Sequence, residues 1–177
     1  MEDWQALLKA ARSAPAVDKL QAANDFFNTR LAWRSDEEIY GVEDYWATPL
    51  EVLGRRAGDC EDFSIAKYIT LVALGVPADS LRLVYVTALL TSGLRQAHMV
   101  LAWYDDPGEP PLILDNVNPR LLRADERSDL IPIFSFNTRD LWVSGRDGAS
   151  GAMPTARLSR WREVLTRMNR DGLTGTW

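Results

Sequence analysis

The hydrophobic pattern of this chain changes its period once, near Gly75 and Pro77, and that change limits the folds it can adopt. Before this point apolar residues recur at helical spacing, first at Trp4, Leu7, Leu8 and Ala11, then at Val17, Leu20, Phe27 and Leu31. After it, β-branched and aromatic runs predict strands at residues 81–87, 97–104, 112–117 and 131–136. This order predicts an α+β fold, in which helices are followed by an antiparallel sheet and a C-terminal helix.

Two helix starts can be read directly from the sequence. Thr48-Pro49-Leu50-Glu51 is a capping-box pattern with proline at the first helical position, and Gly54 and Gly58 predict that this helix is short. Residues 59–74 give the strongest helix prediction, because Asp59 can cap the first turn and an apolar stripe follows at Ile65, Ile69 and Val72.

Two further segments connect these elements. Residues 34–44 are polar and predict a loop between the first helices and the Thr48 cap. Residues 144–154 are rich in Gly, Ser and Pro and predict a connection to the final helix, whose apolar stripe is Trp161, Leu165 and Met168.

The size and charge of the chain exclude several classes of protein. Its 177 residues predict a single domain, residues 1–177. A net charge of −5, with acids and bases mixed, argues against a nucleic-acid binder, which needs a basic stripe. No apolar run approaches the about 20 residues that span a bilayer. The acidic start, residues 1–4, has no signal-peptide character, so we expect either a cytosolic protein or one whose export signal has been removed.

Cys60 is the only cysteine and His98 the only histidine. An intramolecular disulfide and a zinc site with several Cys and His ligands are therefore impossible. Cys60 falls in the first turn of the helix predicted at residues 59–74, where the helix dipole favours a thiolate and free N–H groups can bind an oxyanion. Gly58 is expected to let a substrate backbone approach closely. The alternative is a structural cysteine in the core.

Three carboxylates, Asp59, Glu61 and Asp62, surround Cys60. Their negative charge should raise the pKa of the thiol and oppose thiolate formation. A hard divalent cation such as Ca²⁺ would offset that charge, although the spacing does not match an EF-hand loop. The alternative is that the three acids only match the helix dipole, and the residues alone leave both explanations open.

His98 begins one predicted strand and Asp115 follows the next, with a turn at residues 105–111 between them. If the strands form a hairpin, both side chains share one face when Asp115 lies opposite His98 or two residues from that position. A hairpin centred on Gly108 would place them on opposite faces, so the spacing permits contact without requiring it. If they meet, Asp115 can accept a hydrogen bond from Nδ1–H of His98 and leave Nε2 to face the thiol.

Four motifs in this order, DYWATPLE at residues 44–51, GDCEDF at 58–63, QAHMVL at 96–101 and LDN at 114–116, resemble the bacterial transglutaminase-like cysteine proteinases. The likeness is to the LapG-type periplasmic adhesin proteases and covers nearly the whole chain. It implies a papain-like, transglutaminase-like core with Cys60 as nucleophile, His98 as general base and Asp115 as the residue that orients the histidine. Calcium binding through the acids Asp59, Glu61 and Asp62 is also implied. The loop at residues 91–95 looks slightly longer than in the family.

The resemblance further implies a function. Members of this family cleave a large surface adhesin near its N-terminus, at a paired-alanine site, and so release biofilm cells. An inner-membrane receptor of the LapD type, which senses cyclic di-GMP, holds them inactive in the periplasm. The same residues would also serve a transglutaminase or amidase, and a non-catalytic calcium-binding module is the alternative outside the enzymes. Trp46, just before the Thr48 cap, is a candidate for a docking surface at the cleft.

Overall fold

Six helices occur in the part of the chain that this computed structural model describes, residues 1–143, 159–173 and 175. They are α1 (Glu2–Ala11), α2 (Ala16–Arg30), α3 (Asp36–Tyr40), α4 (Pro49–Arg55), α5 (Cys60–Ala73) and α6 (Ser159–Arg170). The strongest prediction, the helix at residues 59–74, is confirmed as α5, and the capping box of Thr48 and Glu51 is confirmed at the start of α4. The predicted connection at residues 144–154 lies outside the described residues.

The short helix α3 lies within residues 34–44, so the prediction of a loop there was wrong. Ser35 and Glu38 form a capping box, with the Glu38 N–H donating to Ser35 Oγ (3.4 Å) and the Ser35 N–H donating to Glu38 Oε2 (3.2 Å). Gly41 ends the helix in the left-handed conformation, at a φ of 70°. Capping thus stabilises a single helical turn in a segment that has no apolar stripe, the pattern from which helices were predicted elsewhere in the chain.

Two short strands, β1 (Ala32–Trp33) and β2 (Ala57–Gly58), pair in parallel just before α5. In the described part of the chain the main sheet is antiparallel and has six strands in the order β6-β5-β4-β3-β7-β8: β3 (Leu81–Leu89), β4 (Arg95–Trp103), β5 (Leu112–Leu114), β6 (Leu122–Arg123), β7 (Leu130–Phe136) and β8 (Leu141–Val143). The antiparallel sheet is confirmed. The chain departs from a simple meander at β7, which returns to the free edge of β3 and so satisfies the main-chain groups of that strand on both sides.

The helix α5 is the central element of the fold. Its residues from Glu61 to Leu71 are all buried, because α2, α4, β3 and β4 all contact it. Trp161 of α6 packs edge-on against Tyr68 of α5, with 5.7 Å between the ring centroids. Within the described residues no helix combines the length and apolar character needed to cross a bilayer.

Trp46 is a core residue, so the docking role predicted for it was wrong. Its side chain is buried, and its ring stacks on that of Phe136 in β7 at a centroid distance of 6.0 Å. Trp33, in contrast, is 59% exposed. Residue type did not distinguish the two tryptophans, whereas packing against the sheet does.

This difference in burial gives a prediction for stability. Trp46→Ala should lower the free energy of unfolding by roughly 3–5 kcal/mol, because it leaves a cavity in the core. Trp33→Ala is the matched control and should change it by less than about 0.5 kcal/mol. Urea unfolding followed by circular dichroism measures both, and equal effects of the two substitutions would contradict the prediction.

Candidate active site

A cleft of about 900 Å³ opens where the N-terminus of α5 meets β4. Cys60, His98 and Asp115 all line it, although they are far apart in the sequence. The structure therefore brings together the three residues predicted to form the catalytic set. Thr91 and Ser92, from the loop that looked long, also line this cleft at the tip of the β3–β4 hairpin.

Cys60 is the first residue of α5 and is partly exposed. N–H groups in the first turn of a helix have no acceptors within the helix, and the helix dipole is positive there. Gly58 also has a structural role. A Cβ at this position would lie 2.8 Å from both Cβ and Oδ2 of Asp62, so the glycine makes room for Asp62, and close approach of a substrate at Gly58 stays a prediction.

Ser64 connects Cys60 to the strand that carries His98. Its Oγ lies 2.8 Å from the carbonyl oxygen of Cys60 and 3.1 Å from that of Met99, the residue after His98, and its proton can be donated to either. The start of α5 is thus held against β4. Sequence reasoning missed Ser64, although its position four residues after Cys60 places it on the same helix face.

His98 and Asp115 are hydrogen-bonded, with 2.9 Å between Nε2 and Oδ1. In the register of β4 with β5, Leu101 lies opposite Leu114, so Asp115 is diagonal to His98 and on the same face. The same-face pairing allowed by the sequence is confirmed. The predicted nitrogen was wrong, since Asp115 contacts Nε2 and leaves Nδ1 available. Diagonal neighbours lie about 7–8 Å apart, and a contact over that distance favours the outer ring nitrogen.

Asp115 is buried and held from several sides. Its Oδ1 also accepts from the Val117 N–H (2.9 Å), its Oδ2 accepts from Arg127 Nη2 (2.8 Å), and its carbonyl oxygen accepts from Asn28 Nδ2 (2.8 Å). Burial by itself would raise the pKa of Asp115, but hydrogen bonds, above all that with His98, outweigh it and hold the pKa well below its usual range. The carboxylate is therefore ionised. Asn28 and Arg127 were missed because no local pattern links them to the site.

Glu61 contacts the thiol itself. Its Oε2 lies 3.0 Å from Sγ of Cys60. Burial, together with the charge of Glu61, raises the pKa of the Cys60 thiol far above its ordinary value. These surroundings keep the thiol protonated, and therefore weakly nucleophilic, as long as the acidic charge is not offset.

Carboxylates crowd the start of α5 beyond the thiol. Oxygens of Asp36, Asp59 and Asp62 lie within 4.8 Å of one another, and so do oxygens of Asp36, Asp44 and Glu61. Burial and neighbouring acids raise the pKa of Asp36 to about 6 and that of Asp59 to about 9. Oδ1 of Asp36 and Oδ1 of Asp59 are buried without a hydrogen-bond partner in the described part of the chain. Such a cluster fits a hard divalent cation, which takes oxygen ligands.

The predicted metal ligands Asp59, Glu61 and Asp62 all lie in this cluster. Both carboxylate oxygens of Asp62 accept hydrogen bonds from main-chain N–H groups. Its Oδ1 accepts from the Ala47 N–H (2.7 Å) and its Oδ2 from the Asp59 N–H (3.4 Å). Asp36 and Asp44 were missed. Both lie in the segment predicted to be a loop, and its acidic residues were the available signal.

Comparisons with known proteins find a family and solved structures to which this chain is similar. The family model described as bacterial transglutaminase-like cysteine proteinase matches residues 4–147. Legionella pneumophila LapG is 39% identical, with 94% of this chain and 86% of that chain covered and a TM-score of 0.80. The calcium-bound structure of that protein is 41% identical, with 94% of this chain and 87% of that chain covered and a TM-score of 0.81. Its EGTA-treated structure is 40% identical, with 94% of this chain and 86% of that chain covered and a TM-score of 0.81. A comparison with curated protein sequences gives no significant match.

Proposed function

This chain belongs to the bacterial transglutaminase-like cysteine proteinases, and on that basis we propose that it is a calcium-dependent endopeptidase that cleaves a large surface adhesin near its N-terminus and so releases biofilm cells. One observation carries the proposal. The cleft holds Cys60 together with His98, whose imidazole is hydrogen-bonded to the ionised Asp115. Such an arrangement supports acyl transfer from a peptide carbonyl to a thiol.

The proposed reaction uses the nitrogen of His98 that Asp115 leaves available. Nδ1 takes the proton of the Cys60 thiol, and the sulfur attacks the carbonyl carbon of the scissile bond while N–H groups of the first turn of α5 stabilise the oxyanion. The imidazolium gives its proton to the leaving amine as the C–N bond breaks, which leaves a thioester on Cys60. Water, deprotonated by His98, then attacks the thioester, releases a carboxylate and restores the thiol.

Calcium fits the acidic cluster, with Asp36, Asp44, Asp59, Glu61 and Asp62 as the residues that would hold it. Bound there, it would supply positive charge that offsets the carboxylates opposing thiolate formation. The calcium-bound structure of the similar Legionella protein supports this part of the proposal. Glu61 belongs to the cluster and also contacts the thiol, so the charge of the cluster acts directly on Cys60.

An extended peptide fits the edge of β4 beside His98. The Leu90 N–H donates to the carbonyl oxygen of Leu94, and the Tyr104 N–H donates to that of Ser80. In this register the main-chain N–H and C=O groups of the even-numbered residues of β4 bond to β3, and those of the odd-numbered residues point away from β3. Ala97 lines the cleft and has no strand partner on that outer side within the described residues. A substrate can therefore add as a strand there, which suits cleavage within a chain.

The proposed location is the periplasm, and the proposed regulator is an inner-membrane receptor of the LapD type that senses cyclic di-GMP. Membership of the family supports both proposals. Exposed apolar side chains around the cleft suit contacts with protein partners, and they include Trp33, Leu89, Leu90 and Val117.

Incubation with the purified N-terminal region of a large surface adhesin from the same genome tests this function. We expect one cut in the presence of calcium, with no cut by the Cys60→Ala control. Mass spectrometry should find fragments whose masses sum to that of the adhesin region plus one water. Incorporation of added methylamine at the new C-terminus or at glutamine side chains would indicate a transferase instead. An intact adhesin region after prolonged incubation would contradict the proposal.

A further inference from the structure

Arg127 contacts the oxygen of Asp115 that His98 does not use. The guanidinium Nη2 lies 2.8 Å from Oδ2 of Asp115, whereas His98 bonds to Oδ1. The Arg127 side chain is only 3% exposed, and the residue lines the same cleft as Cys60. An arginine is thus buried directly behind the His98–Asp115 pair, where a charged group is costly unless it is paired.

Asp129 fixes the orientation of this guanidinium. Arg127 Nε donates to Oδ1 of Asp129 (2.8 Å) and Nη2 donates to its Oδ2 (2.7 Å), a two-point contact that leaves little freedom to rotate. The Leu89 N–H donates to the carbonyl oxygen of Asp129 (2.8 Å) and ties this segment to the end of β3. A connected series of contacts therefore leads from the sheet through Asp129 and Arg127 to Asp115.

The distribution of donors makes Oδ2 of Asp115 dependent on Arg127. Oδ1 receives two hydrogen bonds, from His98 and from the Val117 N–H, whereas Arg127 is the partner of Oδ2 within the described residues. Without Arg127 a buried oxygen would lose its partner and the carboxylate would lose its nearest positive charge. The carboxylate would then be held through Oδ1 alone and could take up a proton on Oδ2, and its hold on His98 would weaken.

We propose that Arg127 is a positioning residue of the active site, which keeps the Asp115 carboxylate ionised and oriented toward His98, with Asp129 as its support. The inference rests on the proposed function, because Arg127 acts on the same acyl transfer through Asp115 and His98. It does not require contact between Arg127 and the substrate.

Alkylation of Cys60 by iodoacetamide, in the presence of calcium, tests this role without a substrate. Arg127→Gln should lower the second-order rate constant roughly 10–100-fold, the range found when a partner that orients a metal-ligating side chain is lost. Arg127→Lys, which keeps the charge without the forked geometry, should recover part of the rate. Arg139→Gln is the matched control, because Arg139 forms an exposed ion pair with Asp79 and should leave the rate unchanged.

A double-mutant cycle separates positioning from a general loss of structure. If Arg127 acts through Asp115, Arg127→Gln should have little further effect on the alkylation rate in an Asp115→Asn background. With the adhesin region as substrate, Arg127→Gln should lower kcat and leave KM nearly unchanged. Circular dichroism and thermal melts identify variants that fail to fold, and Asp129→Asn then serves as the second variant, with a smaller expected loss.

Three outcomes would overturn the inference. The first is an unchanged alkylation rate in folded Arg127→Gln. The second, which applies if Arg127→Gln does not fold, is an unchanged alkylation rate in Asp129→Asn. The third is an equal loss of alkylation rate when Arg127→Gln is introduced into the wild-type and into the Asp115→Asn protein. Slow alkylation of the wild-type protein that does not depend on His98 is a different result. It would overturn the proposed function and this inference with it, whereas fast, His98-dependent alkylation unaffected by Arg127→Gln would overturn the inference alone.

Discussion

Cys60→Ala is expected to abolish cleavage of the adhesin region while the fold stays intact. The chain has one thiol, so no second nucleophile of this kind can replace it, and the expected loss of kcat is more than about 10⁴-fold. His98→Ala should reduce kcat by about 10²–10⁴-fold, because the thiol then has no base to take its proton. Cys60 is partly exposed at the start of a helix, so removing its sulfur should have little effect on packing.

Single-turnover cleavage and thermal melts measure these two variants side by side. Gln21→Ala, at an exposed position of α2 away from the cleft, is the matched control and should keep a rate within about twofold of wild type. Cleavage at the wild-type rate by folded Cys60→Ala or His98→Ala would contradict the assignment of nucleophile and base.

Removal of calcium is expected to have the second-largest effect, a reversible loss of activity in EGTA. Without the cation, the carboxylates at the start of α5 and burial keep the Cys60 thiol protonated. Mg²⁺ should restore activity poorly, because it retains its waters and demands stricter octahedral geometry. Calorimetric titration should detect calcium binding, and full activity in EGTA with no binding heat would contradict the prediction.

The stability of the calcium-free protein should also depend on pH in a defined direction. Burial and neighbouring acids raise the pKa of Asp36 to about 6 and that of Asp59 to about 9 in the folded state, above their values in the unfolded chain. Each therefore contributes stability that is fully present below the unfolded pKa and is lost as the pH rises through the folded pKa. In EGTA, Tm should fall between pH 5 and pH 8, and the gain in Tm on adding calcium should grow over the same interval.

Asp36→Asn distinguishes a calcium site from a helix cap. Asp36 lies in α3, so its loss removes no capping group from α5, yet it should weaken calcium binding and lower activity. If the acids beside Cys60 served only as caps, each loss would cost about 0.5–2 kcal/mol and EGTA would have no effect. Asp79→Asn, an exposed acid paired with Arg139 outside the cluster, is the matched control and should leave calcium affinity unchanged.

The sequence by itself determined the features that depend on neighbouring residues. Capping boxes and apolar periodicity predicted α4 and α5, and the position of Cys60 in the first turn followed from the start of α5. A single cysteine and a single histidine left one possible pair for thiol chemistry. The strand pattern predicted the antiparallel sheet and permitted the same-face pairing of His98 with Asp115. All of these depend on contacts within a turn, a helix or one hairpin, which local spacing describes.

Only the tertiary structure decided how the site is completed. In the diagonal register of β4 and β5, Nε2 of His98 is the nitrogen that contacts Asp115. Packing between distant elements places Asp36 in the acidic cluster and brings Arg127 against Oδ2 of Asp115. Packing against β7 likewise buried Trp46. These contacts join residues that are remote in the chain, so they depend on strand register and on the packing of whole elements. Residue spacing determines neither the strand register nor the packing of elements, because the same local patterns are compatible with several registers and packings.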